Sequence, residues 1–216
     1  MNFEQARFNM VEQQIRTWNV LDTPILQALS ELPREHFVPA AYQSLAYTDT
    51  EIPLGHGQFM LPPRIDARLA HDLSLNGLET VLEIGAGSGY LTALLAKRCQ
   101  RVIALESIPE LAAQAKTNLA QAGIGNAEVR VADGSRELPE GPFDAIVLGG
   151  SVSEVPQALL SQLKVGGKLL AIVGEEPMMQ ATLTLRTGAD QWSSRALWDT
   201  VAPRLSGFAQ PSRFKF

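Results

Sequence analysis

The sequence holds a single cysteine, Cys99, among its 216 residues. That excludes an internal disulfide and a Cys-rich zinc site, and it suits a buried or half-buried helix position. The three histidines, His36, His56 and His71, lack metal-ligand spacing, so no metal centre is expected. Basic residues are few and scattered. Against 23 Asp and Glu stand 18 Lys and Arg, the formal charge is −5, and the longest basic run is Lys97-Arg98. Phosphate backbones are bound by clustered cations, so nucleic acid is not an expected partner. No apolar run approaches a membrane span, and no membrane association is expected. Met1-Asn2-Phe3-Glu4-Gln5 lacks the basic and apolar segments of a signal peptide, which points to the cytoplasm.

What is present is ordinary globular composition, 45% hydrophobic and 19% charged. A chain of this size buries roughly 70% of its unfolded surface and needs no covalent staple. One domain over residues 1–216 is expected, with a change of texture near residue 78.

Residues 1–77 read as a helical, loop-rich extension. Ala6, Met10, Val11, Ile15 and Trp18 fall on one stripe of a helix over 2–18. Asp22 or Thr23 before Pro24 starts a second helix, which Pro33 stops after Leu32. Pro39 opens a short third. Residues 50–63, with three Pro and two Gly, read as an irregular loop of functional length. From residue 78 on, short apolar runs alternate with helical stripes. Strands are expected at 80–84, 101–105, 128–131, 143–148 and 168–173, with helices at 90–97, 109–122 and 155–163 between them. This alternation predicts a doubly wound, mostly parallel α/β sheet. The period-two pattern of Thr182-Leu183-Thr184-Leu185-Arg186 and a strand at 191–201 add an antiparallel edge.

The chemistry concentrates on Glu83-Ile84-Gly85-Ala86-Gly87-Ser88-Gly89-Tyr90, between the first core strand and its helix. Doubly wound sheets bind nucleotide-like ligands at such a turn. Its spacing is G-x-G-x-G, distinct from the dinucleotide G-x-G-x-x-G. Glu83, two residues before the first glycine, would repel a pyrophosphate but suits ammonium and sulfonium charges. Glu106 ends the next strand, 21 residues after Gly85, where an acid accepts ribose hydroxyls. Asp133-Gly134 ends the third strand, beside an adenine. Together these favour S-adenosylmethionine over NAD, ATP or flavin. The cofactor set is Glu83, Gly85, Ala86, Gly87, Gly89, Tyr90, Glu106, Ser107, Asp133 and Gly134. The bland alternative makes Glu83 and Glu106 solvated strand ends and the glycines mere turn residues. A lipase elbow and a P-loop are both absent.

With these elements placed, the chain resembles the protein-L-isoaspartate (D-aspartate) O-methyltransferase family. The similarity runs through Met10 to Ile15, Leu32-Pro33-Arg34-Glu35-His36-Phe37-Val38-Pro39, Ile52-Pro53-Leu54-Gly55, Gly57-Gln58, Val81 to Tyr90, Asp133-Gly134, Pro142 to Ile146 and Gly166-Gly167. The stretch 32–58 is specific to this family, whereas the glycine turn is common to many methyltransferases. The resemblance implies repair of damaged proteins by methylating the free carboxylate of isoaspartyl residues. It also implies substrate contacts at Gln58, Phe59 and Leu61. Two departures stand out. Phe59 and Leu61 replace a threonine and a serine of the family, and Val147-Leu148-Gly149-Gly150 replaces Val-Thr-Ala-Ala, so the wall of the methyl-transfer site loses a hydroxyl. Three readings follow: isoaspartyl repair, methylation of a small or apolar acceptor, or cofactor binding without catalysis.

Overall fold

The computed structural model describes residues 2–210. Helix α1, Phe3–Asn9, is capped by the Asn2 side chain, which accepts from the Gln5 N–H. The chain then widens into a π-helical segment, Met10–Ile15, and tightens into a 3₁₀ turn, Arg16–Trp18, that ends at left-handed Asn19. The single helix expected over 2–18 is thus three geometries in series. Its apolar stripe holds, because the wider turn still directs Met10, Val11 and Ile15 inward. Helix α2, Thr23–Glu31, carries Pro24 in its first turn and stops before Leu32 and Pro33. Two 3₁₀ segments follow, Arg34–Phe37 and Ala40–Leu45, the second opened by Pro39.

Residues 50–63 are not irregular. Strand β1, Ile52–Gly55, pairs antiparallel with β2, Gln58–Met60. The residues that read as loop punctuation form the hairpin turn, where Gly55, His56 and Gly57 all take positive φ. Pro62 and Pro63 then open helix α3, Pro63–Asp72, an element the sequence reading left out.

The core alternates as expected: β3 Thr80–Ile84, α4 Tyr90–Ala96, β4 Arg101–Glu106, α5 Pro109–Gln121, β5 Ala127–Val131, β6 Phe143–Val152, α6 Gln157–Ser161 and β7 Leu163–Glu175. Strands β8, Met178–Gly188, and β9, Gln191–Thr200, close the chain's seven-stranded sheet in the order β5-β4-β3-β6-β7-β8-β9. The first five are parallel, and β8 and β9 form the antiparallel edge.

Central strands are apolar on both faces because both faces are covered. Val81, Ala104 and Val147 join one buried cluster, which includes the amino-terminal extension. Leu82, Ile103 and Leu148 join the other, against α6. The extension also reaches the far edge: the rings of Trp18 and Trp198 meet at 6.2 Å, edge to face, and Trp198 Nε1 donates to Asp72 at 2.6 Å. Cys99 is buried as expected but lies in the turn after α4 instead of within a helix. No helix among the described residues is long and apolar enough to cross a membrane.

Candidate cofactor and acceptor site

The strand order reverses between β3 and β6, which opens a crevice at the carboxyl end of β3. The glycine turn fills this position. Gly85, Gly87 and Gly89 have φ of 86°, 53° and 84°, a region that side chains disfavour. The Gly85 and Ala86 N–H groups both donate to the Leu105 carbonyl, tying the turn to β4.

Glu106 is not a solvated strand end. It is buried, and its carboxylate accepts from the Gly87 N–H at 2.8 Å and the Ile108 N–H at 3.0 Å. Each oxygen keeps a further lone pair, and Glu106 lines an adjoining cleft together with Ser107, Asp133 and Gly134. Asp133 turns one oxygen to its own loop, accepting from the Ser135 N–H and hydroxyl. That hydrogen bond holds its carboxyl below the usual range. Gly134 is needed for packing: a Cβ there would lie 2.6 Å from Ile84 Cγ2.

Glu83 is fully buried at the end of β3, and neither carboxylate oxygen has a hydrogen-bond partner among the described residues. Burial pushes it up to about 8, and the nearby Asp66 and Glu106 carboxylates add to the rise. The Thr92 hydroxyl moderates the effect but falls short of a hydrogen bond. Such a group is stabilised by a cation entering beside it. Glu83 lines a cleft that shares Gly85 with the Glu106 side. Ala86 and Tyr90 line it too, and Gly89 starts the helix behind it.

The opposite wall comes from the extension. Phe59, Met60 and Leu61 line the same cleft, with Leu61 buried and Phe59 41% exposed. Gln58 lies on the Glu106 side, its amide 3.5 Å from the Ser206 hydroxyl. The expected loss of a hydroxyl by the substitution at Leu148 has no bearing on the cleft, since Leu148 packs in the core beneath the sheet. Gly149 lines the cleft instead, and a Cβ on it would lie 2.4 Å from the Gly85 carbonyl oxygen.

Sequence reasoning missed three contributors. Asp66 lies fully buried on α3 and reaches the cleft. Its spacing from Leu69 and Leu73, at i+3 and i+7, puts a charge on an apolar stripe, a signal that could have found it. Arg34, equally buried, pairs with Asp66 at 2.7 Å and lies 4.5 Å over the Tyr90 ring. The third is the segment Leu205, Ser206 and Phe208, which covers the Glu106 side.

The site fits S-adenosylmethionine. A doubly wound sheet with this glycine turn and two buried strand-end acids beside it defines a methyltransferase that uses that cofactor. Comparison with known proteins narrows the class. The profile described as Protein-L-isoaspartate(D-aspartate) O-methyltransferase (PCMT) matches residues 5–199. "Protein-L-isoaspartate O-methyltransferase 1" of Rhodopseudomonas palustris (strain HaA2) is 44% identical over 92% of this chain and 82% of its own length. "Protein-L-isoaspartate O-methyltransferase" of Methanoculleus marisnigri is 43% identical over 79% of this chain and 78% of its own. Among solved structures, a Plasmodium falciparum protein described as a putative enzyme of this kind, in complex with S-adenosyl-L-homocysteine, superposes with a TM-score of 0.78. It covers 95% of this chain and 99% of its own at 22% identity, a likeness of fold. The chain belongs to the protein-L-isoaspartate (D-aspartate) O-methyltransferase family.

Proposed function

We propose that this protein repairs damaged proteins by methylating the free carboxylate of isoaspartyl residues. The observation that carries the reading is the unpaired, buried Glu83 under a glycine turn, in a chain more than 40% identical over most of its length to relatives bearing that name. S-adenosylmethionine bound there supplies an electrophilic methyl on its sulfonium. Glu83 receives the positive end of the ligand, Glu106 the ribose, and the residues around Asp133 and Gly134 flank the base.

An acceptor carboxylate has a pKa of about 4 and is ionised at neutral pH, so no side chain need act as general base. The cleft is correspondingly without a histidine among its lining residues. The contribution of the chain is alignment: Phe59 to Leu61 and Gly149 bound the space through which an acceptor approaches. Desolvation there strengthens the pull of any donor the carboxylate finds.

A second reading is favoured by one observation, the apolar Phe59-Met60-Leu61 wall. It would suit a small or apolar acceptor, because a carboxylate leaving water must recover hydrogen bonds. Transfer of radiolabelled methyl to an isoaspartyl peptide, with the aspartyl peptide as control, tests the first reading. Labelling of neither peptide, in protein that binds S-adenosylhomocysteine, would move the assignment to the second. The cytoplasm is the proposed site of action.

A further inference from the structure

Two buried carboxylates, Asp66 and Glu83, line one cleft. Asp66 comes from α3 in the extension and Glu83 from β3 in the core. The Arg34 guanidinium pairs with Asp66 Oδ2, while its other nitrogens donate to the Ala46 and Leu61 carbonyls. Arg34 is thereby committed, and its single positive charge answers one of the two carboxylates. Among the described residues, Glu83 has no partner for either oxygen. A purely structural pair between Arg34 and Asp66 would explain the contact at Oδ2. It would not explain why Asp66, and not an apolar residue, lines the cleft that Glu83 lines.

A primary ammonium group has three donors and accommodates two carboxylates at once. We propose that Asp66 is a second carboxylate for the cofactor's α-ammonium group, opposite Glu83, and that Arg34 is the positioning residue that orients it. The inference rests on the cofactor placement proposed above and adds a residue from the extension to it. Closing the ammonium between α3 and β3 would couple cofactor binding to the docking of the acceptor-side wall, because Arg34 holds the Leu61 carbonyl as well as Asp66. Burial raises the Asp66 carboxyl above its ordinary range, and the paired Arg34 guanidinium pulls it back toward the ionised form.

The test compares two ligands on the full chain by calorimetry: S-adenosylhomocysteine and its analogue lacking the amino group. Wild type is expected to prefer the amino-bearing ligand by about tenfold to a hundredfold, the range for hydrogen bonds between charged groups. Asp66→Asn keeps an oxygen for Arg34. It is expected to lose about tenfold on S-adenosylhomocysteine and nothing on the analogue, as a double-mutant cycle requires of a direct contact. Should Asp66→Asn fail to fold, Asp66→Glu preserves the charge, shifts the carboxylate by one methylene, and is expected to show the same selective loss. Equal losses on both ligands, or no loss on either, would overturn the role of Asp66. A wild type that binds both ligands equally would overturn the cofactor placement itself.

Discussion

The Glu106 carboxylate accepts the Gly87 N–H at 2.8 Å, so the residue proposed to hold the ribose also holds the glycine turn in shape. Removing it therefore acts twice. Glu106→Ala is expected to weaken S-adenosylhomocysteine binding by about tenfold to a hundredfold, from lost hydrogen bonds to a charged group. Because Gly87 and Ile108 both lose an acceptor, the ligand-free protein should also melt several degrees lower. Calorimetry and thermal unfolding on the same preparation check both. Unchanged affinity in a folded variant would leave Glu106 with the turn alone.

The pH dependence of binding follows from Glu83. Burial lifts its pKa from 4.5 to about 8 in the free protein, and an ammonium beside it favours the ionised form. Binding then expels a proton, so affinity for S-adenosylhomocysteine should fall as pH drops below 8, by up to about tenfold per unit. The free protein shows the opposite sign. A raised carboxyl stabilises the folded state fully below pH 4.5, and that contribution is lost as pH rises through 8. Glu83→Gln should flatten both profiles, which calorimetry in buffers spanning this window would measure. A wild-type affinity independent of pH would contradict an unpaired Glu83 at the ligand.

What the sequence made legible was what local pattern carries. The strand–helix alternation, the sheet class and the turn from Glu83 to Tyr90 all follow from neighbouring residues. The Arg34–Asp66 pair was invisible because its members stand 32 residues apart and only folding joins them. Gly55 and Gly57 read as loop in the sequence, because turn residues look alike whether or not strands flank them. The resemblance puts Leu148 on the wall of the methyl-transfer site, but strand alternation turns it into the core and leaves half-buried Gly149 lining the cleft. The cover formed by Leu205, Ser206 and Phe208 comes from far along the chain and carries no local signal.

Gly149 tests the tightness of that wall. A Cβ at this position would lie 2.4 Å from the Gly85 carbonyl oxygen, and backbone cannot yield as a flexible side chain would. Gly149→Ala should push β6 away from the glycine turn, costing about 1–3 kcal/mol as overpacking does. Cofactor affinity should fall with it, since Gly85 joins both clefts. Thermal unfolding with and without S-adenosylhomocysteine separates the two effects. A variant as stable and as tight-binding as wild type would show that the approach of β6 to the turn is loose.

Leu61 carries the question of the acceptor. It is buried on the wall of the Glu83 cleft, where the family resemblance implies a serine, and its carbonyl is held by Arg34. An acceptor carboxylate entering there gives up water and finds an isobutyl group in place of a hydroxyl. A lost hydrogen bond of about 1–3 kcal/mol would slow turnover about tenfold to a hundredfold without abolishing it. Leu61→Ser should therefore raise methyl transfer to an isoaspartyl peptide. It should also lower stability, because a buried leucine is replaced by a smaller polar group. The comparison requires wild type and variant at matched folded fraction and saturating cofactor, with the aspartyl peptide as blank. Strong wild-type activity unchanged by Leu61→Ser would show that the hydroxyl is dispensable and that other donors hold the carboxylate. Activity in neither protein, with cofactor binding intact, would assign the Phe59-Met60-Leu61 wall to an apolar acceptor, and small hydrophobic acids and alcohols would be the substrates to assay next.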